Sequence, residues 1–441
     1  MEQRKKNLTQ LFIPICLETL LYMLSGMVDT LMLSSVNDQA VGAVGTANTY
    51  IGIFIIMFSV ISSGMVAVMT QNIGAGRPGV AYQARQLGLV FNAALGVIMS
   101  LFLSLGAGTI LSGVGVADAL MQPAKTYLQI VGGFCILNAL IPICSSYLRA
   151  FGFSKEPLYA SIIGNVINFC LNAFFLFVLH KGVAGVATAT VISRIINLVI
   201  VVLLGAVLVK AKQHPERESN RAVMGQIIRI GLPSACETAI YNVSMTLVIR
   251  FLNQMDAQGL NVTARSYTMQ ITNFSYCVGA ALAQANAIMT GWHIGAKEYD
   301  ACDRGTKKAA VIGVIVAVIL ETVFTLCSGW IMQLFSKDPQ MVSLVGKLLA
   351  IDIVLEMGRV TNLVYGQALK TSGDAVFPVV MGACFMILCS VGGTYLFGIR
   401  LGLLAVGAYI GMTGDECVRA VGMYLRWKSG KWKEKGLVKS R

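Results

Sequence analysis

The sequence predicts an all-α polytopic membrane fold, with twelve transmembrane helices in two pseudo-symmetric six-helix bundles around a central cleft. Composition is the first ground. Of 441 residues only 12% are charged, 56% are hydrophobic and the mean hydropathy is +0.71, where soluble domains run to about a quarter charged. The second ground is an internal repeat. Residues 229–244, RIGLPSACETAIYNVS, echo the stretch beginning IPICLE, aligning Pro14 with Pro233, Glu18 with Glu237, Thr19 with Thr238, Tyr22 with Tyr241 and Ser25 with Ser244.

Reading runs of roughly 20 apolar residues as spans places helices near 9–33, 43–70, 85–112, 124–148, 157–178, 183–207, 229–252, 262–291, 306–334, 341–369, 375–397 and 401–425. Two further echoes support the duplication: MTQNIGAG at 69–76 with MTGWHIGAK at 289–297, and LRAFGFSKEP at 148–157 with LKTSGDAVFP at 369–378. KAKQHPERESNRAV at 210–223 is the most polar internal stretch and reads as a linker. The expected organisation is an N-terminal half over 1–208, a cytoplasmic linker over 209–228, a C-terminal half over 229–425 and a basic cytoplasmic tail over 426–441. An even number of helices per half makes the repeats parallel, a transporter signature in which one half rocks against the other.

The net charge of +13 reflects topology rather than nucleic-acid binding. With the N-terminus inside, Arg4, Lys5, Lys6, Arg77, Arg149, Lys155, Lys212, Lys370 and the cluster from Arg426 to Arg441 collect on one face. Lys125, Lys181, Lys337, Lys347 and Arg400 fall on the other. The positive-inside rule then puts both termini in the cytoplasm of a multi-pass protein of the cell membrane. The first apolar run lacks a small-residue cleavage site. The eleven cysteines show no metal spacing, and His180, His214 and His293 sit in or beside loops. No catalytic constellation emerges, so no enzyme activity is expected, and a receptor or scaffold is a further alternative.

Glu18, Tyr22, Ser25 and Asp29 fall on one stripe of the first helix. Carboxylates there cost at least a few kcal/mol each in hydrocarbon, so the stripe should face protein or water. Pro14 frees a backbone carbonyl and permits a bend. Near the outer end of helix 1, Asp29 shares its depth with Asn172 of the pair Asn168 and Asn172 in helix 5, and with Thr188 in helix 6. One negative charge among neutral oxygens suits a hard monovalent cation or a proton; the alternative is a satisfied hydrogen-bond cluster. Val248 occupies the position matching Asp29 in the second half. There the acids are Glu237, Asp352 and Glu356, with Arg359 able to pair with Glu356, and Asp415, Glu416 and Arg419 in helix 12. Arg194 and Glu321 are intramembrane charges with no assignable partner.

In their order and position, Pro14 through MVDT, the Asn-x-x-x-Asn pair, GVATAT, IGAG, LRAFG and LKTSGD resemble the multidrug and toxic compound extrusion (MATE) transporters, over nearly the whole chain. The resemblance implies a first-half cation site at Asp29, Asn168, Asn172, Thr188 and the Ala184 carbonyl, holding Na⁺ or, in its place, H⁺ as coupling ion, with no cofactor. It implies export of an amphipathic, often cationic, small molecule through a cleft whose lining would include Glu18, Tyr22, Glu237, Tyr241, Glu356 and Arg359. A monomer in a lipid bilayer is expected. Tyr241 and Arg359 stand where some members have acids, which puts a second-half site of the family's kind in doubt. A lipid-linked oligosaccharide flippase of the same superfamily is the competing reading.

Overall fold

The computed structural model describes residues 6–34, 38–113, 116, 118–210, 214–256, 258–333 and 335–438. Of the basic residues used above for orientation, Arg4, Lys5, Lys212, Lys439 and Arg441 lie outside the described residues. The described chain is helical almost throughout and divides into two compact units, Met1–Gly231 and Leu232–Arg441.

In the first unit, α1 spans Leu8–Ser34, α2 Asp38–Gly74 and α3 Pro78–Gly113. The broken helix α4 runs Asp118–Tyr127, a π turn over Leu128–Gly132, then Ile136–Ala150, bent by 43°. α5 is Lys155–Ala173, prolonged by a π turn over Phe174–Val178, and α6 is Gly182–Leu208. α7, Asn220–Met255, begins in this unit and continues into the next. The second unit holds α8 Leu260–Gly295, α9 Tyr299–Leu326, a short helix Ser328–Met332, α10 Pro339–Ser372, α11 Val376–Arg400 and α12 Leu404–Lys428.

Several helices outrun the expected spans. α2 begins at Asp38 rather than 43, α3 at Pro78 rather than 85, and α7 at Asn220 rather than 229. A helix of 36 residues is about 54 Å long, beyond the roughly 30 Å of hydrocarbon, so its polar ends continue helical hydrogen bonding outside the apolar run. Hydropathy sees only the middle. Among the described residues seven helices, or eight with the bent α4, are long and apolar enough to cross a membrane. α7, α8, α10 and α12 do not meet that standard. All four carry charges buried or largely buried in the protein and described below: Glu237 in α7, Arg265 in α8, Glu356 in α10 and Arg419 in α12.

Small residues let the first unit's helices approach closely. Ala43, Ala47, Ala107, Ala139 and Ala187 sit with Phe58, Leu103 and Leu128 in one buried cluster, as expected where lipid offers no hydrophobic drive and close packing holds helices together. The second unit's core joins Val248, Leu252, Leu349, Leu355, Tyr409 and Met412.

Two expected segments are more ordered than their polarity suggests. The division between units falls inside α7, and the described part of the linker docks on the start of α3. Arg217 donates to the Gly79 carbonyl at 2.8 Å, Arg77 meets Glu218 at 2.6 Å and Gln83 brackets the Glu218 backbone. The basic tail folds back likewise: Trp427 and Trp432 stack with centroids 4.1 Å apart, both buried, and Trp427 donates to Asp303 at 2.9 Å. Indole faces too large to leave in water account for that fold-back.

Candidate functional site

At one end of the first unit, the turn between α4 and α5 sits against the start of α1. Pro14 cannot donate to Gln10 four residues earlier, and the Ser154 hydroxyl donates to the orphaned Gln10 carbonyl at 3.0 Å. The carbonyl that the sequence offered to a bending helix is thus captured by a neighbouring turn. One turn further along α1, Glu18 Oε2 lies 2.5 Å from Arg149 Nη2 at the end of α4, while Ser161 of α5 donates to its other oxygen at 3.3 Å.

The second unit repeats this arrangement. Glu237 of α7 meets Lys370 at the end of α10 at 2.6 Å. Arg149 and Lys370 are the paired positions of LRAFG and LKTSG, so the duplication repeats both members of an ion pair. Both pairs are largely buried, with 11% to 15% of each side chain exposed. Glu18 and Glu237, read from sequence as acids available to a substrate, are therefore compensated by a cation within their own units. Tyr22, on the same stripe, is 71% exposed.

At the far end of α1, about 16 Å along the axis from Glu18 at 1.5 Å per residue, the Asn172 carboxamide joins two of the expected oxygens. Its Nδ2 donates to Asp29 Oδ1 at 2.7 Å and to Asn168 Oδ1 at 3.2 Å. Asn172 is fully buried and its own Oδ1 has no hydrogen-bond partner. The π turn Phe174–Val178 begins two residues on; such turns recur at functional positions because they re-aim side chains. α6 comes close here because residue 185 is glycine: a Cβ there would lie 2.7 Å from the Phe175 Cβ. The adjoining first two turns of α6 carry Ala184 and Thr188, whose hydroxyl donates to the Ala184 carbonyl at 2.8 Å. Arg194, further along α6, acts electrostatically on Asp29 and on buried Tyr127, a relation that sequence spacing could not supply.

In the second unit the position of Asp29 is taken by Val248, fully buried in the apolar core. Charge gathers instead where α8, α9, α10 and α12 pack together. Arg359 donates to Glu356 and stands 3.5 Å from Glu416. Arg419 makes two bonds to Asp415, at 2.8 and 2.9 Å, and approaches Glu416 at 3.0 Å. Asn362 and Ser390 complete the acids' partners at 3.0 Å each. α12 reaches α10 because Gly358 leaves room: a Cβ would meet the Cys417 nitrogen at 2.9 Å. Beside this network lies a cavity of about 210 Å³, lined by Tyr241, Tyr276, Met245, Met269, Met412, Arg359 and Asp352 among others. Of the expected cleft residues, Tyr241 and Arg359 thus share a cavity, while Glu356 is fully buried behind Arg359.

The MatE family model matches residues 14–174 and 233–396, one stretch within each repeat, each starting at the shared proline. The chain belongs to the MatE family. Its relatives include an uncharacterized transporter, YisQ, of Bacillus subtilis, 34% identical over 96% of this chain and 94% of that one. A probable multidrug resistance protein, NorM, of Thermotoga maritima is 23% identical over 98% and 94%. Among solved structures, a crystal structure of MATE in the straight conformation superposes with a TM-score of 0.87 at 20% identity, over 97% and 96% of the two chains. An outward-facing MATE family transporter of the MOP superfamily gives 0.86 at 17%, over the same shares. These establish a multi-pass MATE transporter with twelve helices in two bundles as its fold.

Proposed function

We propose that this MATE transporter is a cation-coupled antiporter, driven by Na⁺ or H⁺, that exports amphipathic, cationic drugs or metabolites across the cytoplasmic membrane by alternating access, with both termini cytoplasmic. The observation that carries the proposal is the Asn172 carboxamide bonded to Asp29 and Asn168. A carboxylate held by one donor keeps lone pairs for a cation or a proton, and the unpartnered Asn172 Oδ1 adds a neutral acceptor. An ion that neutralises Asp29 in one conformation more favourably than in another shifts the equilibrium between them, which is what coupling requires. The substrate class is supported by the second unit's cavity, whose lining joins tyrosine rings and methionine thioethers with Asp352; aromatic faces and soft thioethers suit an amphipathic organic cation. Relatives named as probable multidrug resistance proteins support drug export as the activity.

Dye export from energised everted vesicles, measured with and without Na⁺ at fixed pH, tests the reading. Export that collapses when one of the two ion gradients is removed is expected. Export indifferent to both would overturn the proposal.

A further inference from the structure

Among the described residues one group of acids is arranged as a set of cation ligands, and it is not the first-unit site. Glu321 of α9 and Asp352 and Glu356 of α10 present carboxylate oxygens that all lie within 4.8 Å of one another. Asp352 and Glu356 are one turn apart on the same face of α10. All three are at most 2% exposed.

Their charge is not balanced by protein. Asp352, Asp415 and Glu416 line the adjoining cavity with Arg265 and Arg359, and Arg419 is committed to Asp415 and Glu416. Five buried acids therefore share three guanidinium groups, an excess of two negative charges. Their hydrogen bonds are incomplete as well: both Glu321 oxygens, Asp352 Oδ2 and Glu356 Oε2 have no hydrogen-bond partner. A fourth oxygen comes from a third helix. The Ser275 hydroxyl of α8, 1% exposed, is turned toward Glu321 and bonds no group outside the cluster. Each orphaned buried polar group costs about 1–3 kcal/mol, and more when charged.

We propose that Glu321, Asp352 and Glu356, with Ser275, form a second cation site inside the C-terminal unit that takes a hard cation of Na⁺ or Ca²⁺ size. Oxygens spread over up to 4.8 Å match twice a metal–oxygen bond of roughly 2.4 Å, whereas Mg²⁺ demands about 2.1 Å and keeps its waters. An all-oxygen donor set without imidazole or thiolate disfavours zinc and copper. One Ca²⁺, or one Na⁺ with one proton, offsets the excess charge. Asp352 opens on the cavity, which supplies a path for the ion. The site is independent of Asp29 and stands or falls without it.

The test uses purified full-length protein carrying Asp29→Asn, so that first-unit binding is removed. Its melting temperature and its binding of radioactive Na⁺ and Ca²⁺ are followed while each chloride replaces choline chloride at constant ionic strength. Saturable stabilisation and binding by one of the two cations is expected. Adding Glu321→Gln should raise the half-saturating concentration at least about tenfold, and Ser275→Ala several-fold. Ser275→Ala keeps every charge, so it reads ligation even where Glu321→Gln expresses poorly. No saturable response in the Asp29→Asn protein would overturn the proposal, as would a response that both added substitutions leave unchanged.

Discussion

Arg149 Nη2 stands 2.5 Å from Glu18 Oε2, and the duplication repeats the relationship as Lys370 with Glu237 at 2.6 Å. Each pair ties the end of one helix to the first turns beyond a proline on another. Removing one partner strands a largely buried charge. Arg149→Ala is expected to cost roughly 2–4 kcal/mol, a little below the range for fully buried pairs because both side chains keep some exposure. The double variant Glu18→Gln with Arg149→Gln should recover most of it. Thermal unfolding of the purified variants is the measurement, and equal losses for single and double variants would assign the effect to packing instead.

Asp29→Asn keeps the shape of the side chain and an oxygen that accepts the bond from Asn172, but removes the charge that a bound ion would neutralise. It is expected to reach the membrane, retain substrate binding and lose uphill export. Dye export at the wild-type rate with wild-type ion dependence would make the first-unit cluster structural.

Asn172 and Thr188 are expected to differ in effect. Asn172 donates to both Asp29 and Asn168, whereas the Thr188 hydroxyl is engaged by the carbonyl of its own helix. Asn172→Ala should raise the ion concentration for half-maximal export by about tenfold or more, the scale of removing a partner that orients a ligand. Thr188→Ala should shift it by less. The ranking is read directly from ion titrations of export, and a larger shift for Thr188→Ala would contradict the geometry.

Arg359 sits between Glu356 and Glu416. Arg359→Ala would leave Glu356 without its cation in a buried network, while Glu416 keeps Arg419, a loss expected at about 3–5 kcal/mol. Arg359→Lys keeps the charge but lacks the planar fork that reaches two carboxylates, and should be intermediate. Melting temperatures order the three proteins.

Much of this was legible in the residues. Apolar run lengths and the Pro14 and Pro233 echo gave the helices and the duplication, since both depend only on local composition. The level shared by Asp29, Asn168 and Asn172 followed from helical rise. What could not be read was which distant residues meet. Glu18 and Arg149 lie on different helices, and the available clue was that the repeat kept an acid and a base of opposite sign at both sets of positions. Glu321 carried no such clue, because its neighbours Asp352 and Ser275 come from two other helices and neither is repeated. The docking of the linker and tail was not legible for one reason: polarity marks what can be solvated, and Arg217, Gln83 and Trp432 instead found partners.

The docked tail also sets how the chain meets a protease. Arg426, Lys428, Lys431, Lys433 and Lys435 are five trypsin sites in ten residues, yet the segment is pinned by Trp427, Trp432 and Leu437, all buried. Cleavage needs an extended strand of several residues, which the helix and the stacked indoles forbid, so cutting must wait for the tail to peel away. The rate of tail loss under trypsin then measures the free energy of that local opening. Trp432→Ala should speed cutting after Lys428 while leaving the six-helix unit intact.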